Sequence, residues 1–325
     1  MKITIVTPAA PKSLSGNRNT AVRWARFLEE AGHDVAVEET WSGEEADLMV
    51  ALHARRSYPS IAAYAEAHPD LPLVVALTGT DLYRDLPTDE NARESLDLAT
   101  RLIVLQEASL DKMEERHREK TRVIYQSAEP TAPQSPDENF FDVCVIGNLR
   151  EVKDPFRAAL AARLLPAQSR IRILHAGKAQ DERFEGEARA HMDTSPRYRW
   201  LGELPHSGVR YLLSRSRLLV QSSVMEGGAN SVCEALAAGV PVIGSDIPGN
   251  VGMLGRDYPG YYPVRDTEAL ALLLEKVGRD EGFYRSLQEA CESRRHRVSP
   301  GRERGELAAL VTEITAESKN RAADI

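Results

Sequence analysis

The chain has 325 residues, 42% apolar and 28% charged, with 21 Gly and 18 Pro; this is ordinary globular composition, and at roughly 100–200 residues per domain it suggests two domains and excludes long disordered or collagen-like stretches. Forty-nine Asp plus Glu against forty-one Lys plus Arg leave a net charge of −8, so the chain as a whole repels a phosphate backbone and no nucleic-acid partner is expected. No run approaches the ~20 apolar residues that span a bilayer, and the opening MKITIVTPAAP is too short for a signal-peptide core, so a cytoplasmic protein without stable membrane association is expected.

Short β-rich runs alternate with helical patterns from the start. Ile3 to Val6 predicts a strand, and Ala21, Trp24, Ala25 and Leu28 mark the apolar stripe of a helix. Asp34 to Val37, Leu48 to Leu52, Leu73 to Leu77, Leu102 to Leu105 and Val123 to Tyr125 predict further strands. The alternation is that of parallel βαβ units. From Ala128 to Asn139 the periodicity stops and Pro130, Pro133 and Pro136 arrive among Ser, Thr and acidic residues, which reads as a linker. A second strand–helix series follows: Phe141 to Ile146, a helix after Pro155, Ile171 to His175, a charged helix from about Asp181, Leu218 to Gln221, a helix from Asn230 to Ala238, and Val240 to Ile243. A last helix, Glu303 to Ser318, carries a stripe of Leu307, Leu310, Val311 and Ile314.

The expected fold class is therefore α/β, with two Rossmann-like doubly wound domains. The domains are expected at 1–128 and 141–298, the linker at 129–140, and a C-terminal helix, 299–325, packing back on the body. Ligands of such sheets sit beyond the carboxyl ends of the strands, here in a cleft between the domains. Cys144, Cys233 and Cys291 are odd in number and widely spaced, so they suggest small buried residues and neither a disulfide framework nor a zinc site. The loop after the first strand carries only Gly16 and lacks GxGxxG, and no Walker A sequence occurs, which removes the usual dinucleotide and P-loop readings.

The most informative stretch is Ser222 to Gly249, SSVMEGGANSVCEALAAGVPVIGSDIPG. Glu226 and Glu234 bracket a Gly-Gly turn and the start of a helix. Val232, Ala235, Leu236 and Gly239 form its buried stripe, and Asn230 or Ser231 supplies its cap. Helical side chains lean toward the amino terminus, so the Glu234 carboxylate can face the same mouth as Glu226. A carboxylate accepts two hydrogen bonds side by side, which suits a vicinal diol, while the N–H groups of Gly227, Gly228 and Ala229 at a positive helix end suit phosphate oxygens. Taken alone, the two glutamates fit a helix cap and a wet helix face as well.

EGGANSVCEALAAGVPVI resembles the E-x7-E signature of the GT-B glycosyltransferases of family 4. Gly147 to Lys153 (GNLREVK) is similar to that family's G-R-L-x-x-x-K loop, His175-Ala176-Gly177 to its strand-end glycine, and Trp200-Leu201-Gly202 to its FLG segment. The resemblance implies a GT-B fold, and a UDP-sugar donor whose ribose diol is held by Glu234 and whose hexose hydroxyls by Glu226. It makes Gly227, Gly228, Ala229, Asn230 and Ser231 donor-binding, together with Gly147 and Gly177. Lys153 neutralises the diphosphate. The family arginine after the glycine is Asn148 here, and Arg150 is the candidate to replace it. Lys153 and Glu226 are the expected catalytic pair, with no metal and no cofactor.

The resemblance gives the first domain the acceptor side. Lys12, Gly16, Asn17, Arg18 and Asn19, with Thr20 at the start of a helix, make a small-anion site. Arg55, Arg56, Thr80 and Asp81 join it from neighbouring strand-end loops, Asp81 standing where many family members have an HGxD loop whose histidine is Thr78 here. The openings TPAAPKSLSGNRNTA, ALTGTDLYRD and IGNLREVKDP resemble one branch, the selenosugar synthases of selenoneine biosynthesis. That resemblance implies transfer of a hexose from UDP-N-acetylglucosamine or UDP-glucose to selenophosphate. The alternatives are a conventional family 4 transferase with a small-molecule or lipid acceptor, a UDP-sugar epimerase, and a non-catalytic nucleotide-sugar-binding protein.

Overall fold

A computed structural model describes residues 1–11, 13 and 15–323, with side chains as far as residue 317. The chain divides into two compact units, one of residues 1–126 with 300–325 and one of residues 127–299.

The first unit runs β1 (Lys2–Val6), α1 (Gly16–Glu30), β2 (Asp34–Glu38), β3 (Leu48–Leu52), α2 (Tyr58–Ala67), β4 (Leu73–Leu77), α3 (Glu90–Leu98), β5 (Arg101–Val104), α4 (Glu115–Glu119) and β6 (Thr121–Val123). Its sheet is wholly parallel in the order β2-β1-β3-β4-β5-β6. β3 and β4, LMVAL and LVVAL, are buried at every position, as strands covered on both faces by crossover helices must be. Residues 124–140 carry no helix or strand.

The second unit runs β7 (Phe141–Ile146), α5 (Arg157–Arg163), β8 (Ile171–Ala176), α6 (Glu182–Thr194), β9 (Tyr198–Trp200), α7 (His206–Arg215), β10 (Leu218–Gln221), α8 (Asn230–Ala238), β11 (Val242–Ser245), α9 (Pro248–Leu254), β12 (Tyr261–Tyr262), α10 (Thr267–Arg279) and α11 (Glu281–Arg294). Its sheet is also parallel, in the order β12-β11-β10-β7-β8-β9. β11 starts at Val242, not at Val240, because Pro241 has no N–H for the ladder. The stripe Leu270, Ala271, Leu274 and Val277 that makes α10 an amphipathic helix is absent from the elements expected from sequence, as are α7, α9, α11 and the short strands β9 and β12.

The last helix, α12 (Pro300–Ala323), begins at Pro300 and not at Glu303, since proline is tolerated in a first helical turn. Its Leu307, Leu310, Val311 and Ile314 enter one core with Ile3, Ile5, Trp24 and Leu28 of the first unit. None of the three cysteines forms a disulfide, and all three are buried. Among the described residues no helix is long and apolar enough to cross a membrane.

Candidate functional site

In the second sheet β7 is flanked by β10 on one side and β8 on the other. Chain direction of assembly reverses there, and a parallel sheet opens a crevice beyond the carboxyl ends of its strands at such a point. Gly147, Lys153, His175, Gln221, Ser222 and Ser223 line it. A larger cavity of about 340 Å³, between Phe141, Arg217 and Tyr284, lies at the amino edge of the same sheet and includes none of these residues.

Two loops are tied together across this crevice. The Val224 N–H donates to the Val152 carbonyl at 2.9 Å, and the Ser222 hydroxyl lies 3.0 and 2.9 Å from the carbonyls of Lys153 and Asp154. These bonds carry the Lys153 ammonium onto Oε1 of Glu226, forming an ion pair whose side chains keep 20% and 12% exposure. The same oxygen accepts from Ser223 Oγ at 2.6 Å and from Gln221 Nε2 at 3.1 Å. Gln221 is buried, with its amide oxygen accepting from Ser231 Oγ at 2.8 Å. Behind Glu226, an added Cβ on Gly249 would stand 2.2 Å from the Glu226 carbonyl oxygen, so α9 approaches this loop only through a glycine.

The start of α8 differs from the expected arrangement. Neither Asn230 nor Ser231 caps the helix: the capping position is Ala229, which has no side-chain acceptor, and the Ser231 hydroxyl is spent on Gln221. No acceptor is found among the described residues for the N–H groups of Gly227, Gly228, Ala229, Asn230 and Ser231. Five donors at the positive end of a nine-residue helix are thus left for an anion. Val232, Ala235 and Leu236 are buried as their spacing requires, but Gly239 lies beyond the helix and ends it at φ 72°. Glu234, its side chain 18% exposed, lies 3.8 Å from Nδ1 of His206 at the start of α7.

Gly147 and Gly177 meet at the ends of β7 and β8. A Cβ on Gly177 would stand 1.9 Å from the Gly147 carbonyl oxygen, so this contact exists only because position 177 has no side chain. His175 Nε2 donates to the same carbonyl at 3.1 Å while Nδ1 accepts from the Tyr198 hydroxyl at 3.0 Å. Burial lowers the imidazole pKa to about 4, against the smaller opposing effect of the Gly147 carbonyl. Asn148 is exposed, its Oδ1 accepting from the Lys178 N–H at 3.1 Å, and Arg150 is exposed at the head of the 151–153 turn.

In the first unit, Gly16, Asn17, Arg18 and Asn19 form the first turn of α1, capped by Ser15, whose hydroxyl accepts from the Arg18 N–H at 3.4 Å. Nε of Arg18 is buried without a hydrogen-bond partner; Lys12 lies outside the described residues. Arg55 is not a free cation, since its Nε pairs with Asp85 at 2.8 Å. Burial pushes the Asp85 pKa up, but Arg55 and Arg84 outweigh it and hold the carboxyl below its usual range. Arg56 is exposed. Asp81 has no exposed surface; its oxygens accept from the N–H groups of Thr78, Gly79 and Ala54 at 2.8–3.1 Å. It organises the loop and the turn of π-helix at Asp81–Asp85. Thr80 Oγ1 lies 3.1 Å from Nε2 of the buried His53, a non-glycine residue at φ 74°. The Arg56 N–H donates to Nδ1 of that ring at 3.4 Å. Desolvation first, then the neighbouring Arg56 and Arg55, lower the His53 pKa against the pull of Asp81 and Asp85.

The sequence reading missed Gln221, Ser223, His206 and Gly249 as members of these clusters. Gln221 left one signal, a polar residue closing the apolar strand LLVQ. Among the described residues no group of three His, Cys, Asp or Glu side chains is placed to hold a metal ion.

Comparison with known proteins bears on both units. The profile of the family described as glycosyl transferases group 1 matches residues 128–294. The glycosyltransferase 1 domain-containing protein 1 of Xenopus tropicalis is 30% identical over 117 residues, which cover 36% of this chain and 34% of that protein. The chain thus spans about a third of the length of this curated relative. Among solved structures, Anabaena HepE in complex with UDP and glucose is similar with a TM-score of 0.76 at 17% identity, covering 96% of this chain and 100% of that one. Sucrose-phosphate synthase from Thermosynechococcus elongatus is similar with a TM-score of 0.79 at 15% identity, covering 97% and 99%. Likeness at this identity shows the fold, two parallel-sheet Rossmann-like domains of the GT-B type.

Proposed function

The chain belongs to the glycosyl transferases group 1 family, and on that premise we propose that it transfers a hexosyl group, N-acetylglucosaminyl by preference, from a UDP-sugar to selenophosphate. The observation that carries the donor half is the Lys153–Glu226 pair, poised beside five unacceptored N–H groups at the start of α8. A diphosphate takes the amides and the remaining N–H groups of the Lys153 ammonium, and Glu226 faces the hexose. Gly147 and Gly177 let the backbone approach closely, and Glu234, about one turn inside α8, serves the ribose. The bound UDP and glucose of HepE support a uridine-nucleotide donor.

The acceptor half rests on chemistry and on the resemblance of the first loop to the selenosugar synthases. Both ring nitrogens of the buried His53 are engaged, by Thr80 Oγ1 and the Arg56 N–H, and Asp81 is consumed by backbone N–H groups, so neither of these two described side chains is free to act as a base for an alcohol. Selenophosphate asks for none, because its selenium is already an anionic nucleophile and needs positioning and charge. Arg18 and Arg56 supply that charge. Selenium attacks the anomeric carbon, the C–Se bond forms as the bond from carbon to the β-phosphate oxygen breaks, and UDP leaves with the electron pair. The product is a hexosyl selenium phosphate, whose Se–P bond water then hydrolyses to give the selenohexose and inorganic phosphate.

The test is anaerobic incubation of the protein with UDP-N-acetylglucosamine and fresh selenophosphate, with and without EDTA, followed by mass spectrometry. A product with the selenium isotope pattern, formed together with UDP and equally in EDTA, is expected. Donor binding without a selenium product would overturn the acceptor, and loss of turnover in EDTA restored by magnesium would overturn metal independence.

A further inference from the structure

We infer that Gln221 and Ser223 are positioning residues that hold Glu226 by one carboxylate oxygen, so that the other oxygen alone reads a single hydroxyl of the donor hexose. The inference rests on the donor reading above and deepens it. All three donors that reach the Glu226 carboxylate, Lys153 Nζ, Ser223 Oγ and Gln221 Nε2, converge on Oε1. An sp² oxygen has two lone pairs, so three donors saturate it. No hydrogen bond among the described residues reaches Oε2, and the side chain keeps 12% exposure. A ligand hydroxyl is therefore left with one oxygen, not with the side-by-side pair that a vicinal diol would use.

The relay cannot rotate away. Both Gln221 amide hydrogens are engaged, one by Ser223 Oγ at 2.9 Å and one by Glu226, and its oxygen accepts from Ser231 Oγ at 2.8 Å. Glu226 is acceptor-only when ionised, which fixes the amide with its NH₂ on that side. Gln221 is 3% exposed, so none of these bonds is exchanged cheaply for water. Ser231 sits in the first turn of α8, and the relay thereby couples the helix end that meets the diphosphate to the carboxylate that meets the sugar.

The test is calorimetric titration of the full chain with UDP and with UDP-N-acetylglucosamine, for wild type, Gln221→Met and Gln221→Glu, at about pH 8 and about pH 5.5. The ionisable groups facing position 221 are Glu226, Lys153 and, across the crevice, His175; with its pKa at about 4, His175 stays neutral at both values. Gln221→Met is expected to bind UDP within about twofold of wild type and UDP-N-acetylglucosamine about tenfold more weakly, at both pH values. Gln221→Glu is expected to show the same loss at the higher pH and to recover at the lower, where the introduced carboxyl takes a proton and donates it to Glu226. In UDP-hexoses deoxygenated at one position, the Gln221→Met loss should vanish for one analogue only. An unchanged ratio of the two affinities, equal losses for UDP and UDP-sugar, no recovery in Gln221→Glu, or vanishing of the loss for two neighbouring deoxy positions would each overturn the inference. Wild type that binds neither ligand would overturn the donor reading itself.

Discussion

His175 sits between two neutral partners, the Gly147 carbonyl and the Tyr198 hydroxyl, and has no carboxylate to welcome a second proton. Its folded pKa, about 4, lies below the ordinary 6.5. The unfolded chain therefore binds the proton more readily, and the stability held above pH 6.5 is lost as pH falls through about 4. At ~1.4 kcal/mol per unit this is of order 3 kcal/mol. Denaturant titrations at neutral pH and near pH 4 should show wild type losing more than His175→Gln between the two; equal losses would remove His175 as the source. Two residues on, Gly177→Ala forces the Gly147 carbonyl away, because the new Cβ would stand 1.9 Å from its oxygen. Overpacking of this kind costs ~1–3 kcal/mol, and since Gly147 opens the loop that carries Lys153, UDP affinity should fall about tenfold or more. A Gly177→Ala variant with wild-type melting and wild-type UDP binding would show that the loop gives way at no cost.

At the scale of the element, α8 is short and lacks a side-chain cap at its amino end. A helix with such an end sacrifices about 1 kcal/mol of capping and keeps its N–H groups for a ligand. Glu234→Ala should raise helix propensity slightly, yet weaken UDP and UDP-sugar about equally, by tenfold or more, if the carboxylate holds the ribose. That pattern contrasts with Gln221→Met, which spares UDP. Unchanged UDP affinity in Glu234→Ala, read by calorimetry, would detach α8's second glutamate from the nucleotide and leave it with His206. The heptad-like signal of α8 was legible in the sequence; its missing cap was not, because Asn230 and Ser231 are both good capping residues and only the packing of Gln221 shows where the serine hydroxyl goes.

At the scale of the molecule, the first unit is completed by chain that returns from beyond the second. Arg23 Nε and Nη2 donate to Glu303 at 2.8 and 3.1 Å, and Trp24 Nε1 donates to it at 2.7 Å, with Glu303 fully buried. Removing one partner of a buried pair leaves an uncompensated charge and costs ~3–5 kcal/mol. Glu303→Ala should therefore lower the unfolding transition of the first unit, followed by Trp24 fluorescence, by several degrees. A variant with unaltered melting would show that α12 is held by Leu307, Leu310, Val311 and Ile314 alone.

Local rules were enough for much of this protein. Alternating buried strands and amphipathic helices are written in residues a few positions apart, so two parallel α/β sheets, the helix Asn230 to Ala238 and the glycine-flanked glutamates could be read directly. Strand order could not, since nothing in β7 or β10 states that they are neighbours; that pairing depends on how the crossovers close, and it is what brings Gly147, Lys153 and Glu226 to one crevice. The same holds for polar side chains with several possible partners. Arg55 reads as a free clamp until Asp85 is found beside it, Asp81 as a ligand until three backbone N–H groups claim it, and Gln221 as the end of a strand until its amide is seen to bridge Ser231 and Glu226. A sequence specifies which groups can donate and accept, but which of them are already satisfied is decided only when distant segments meet.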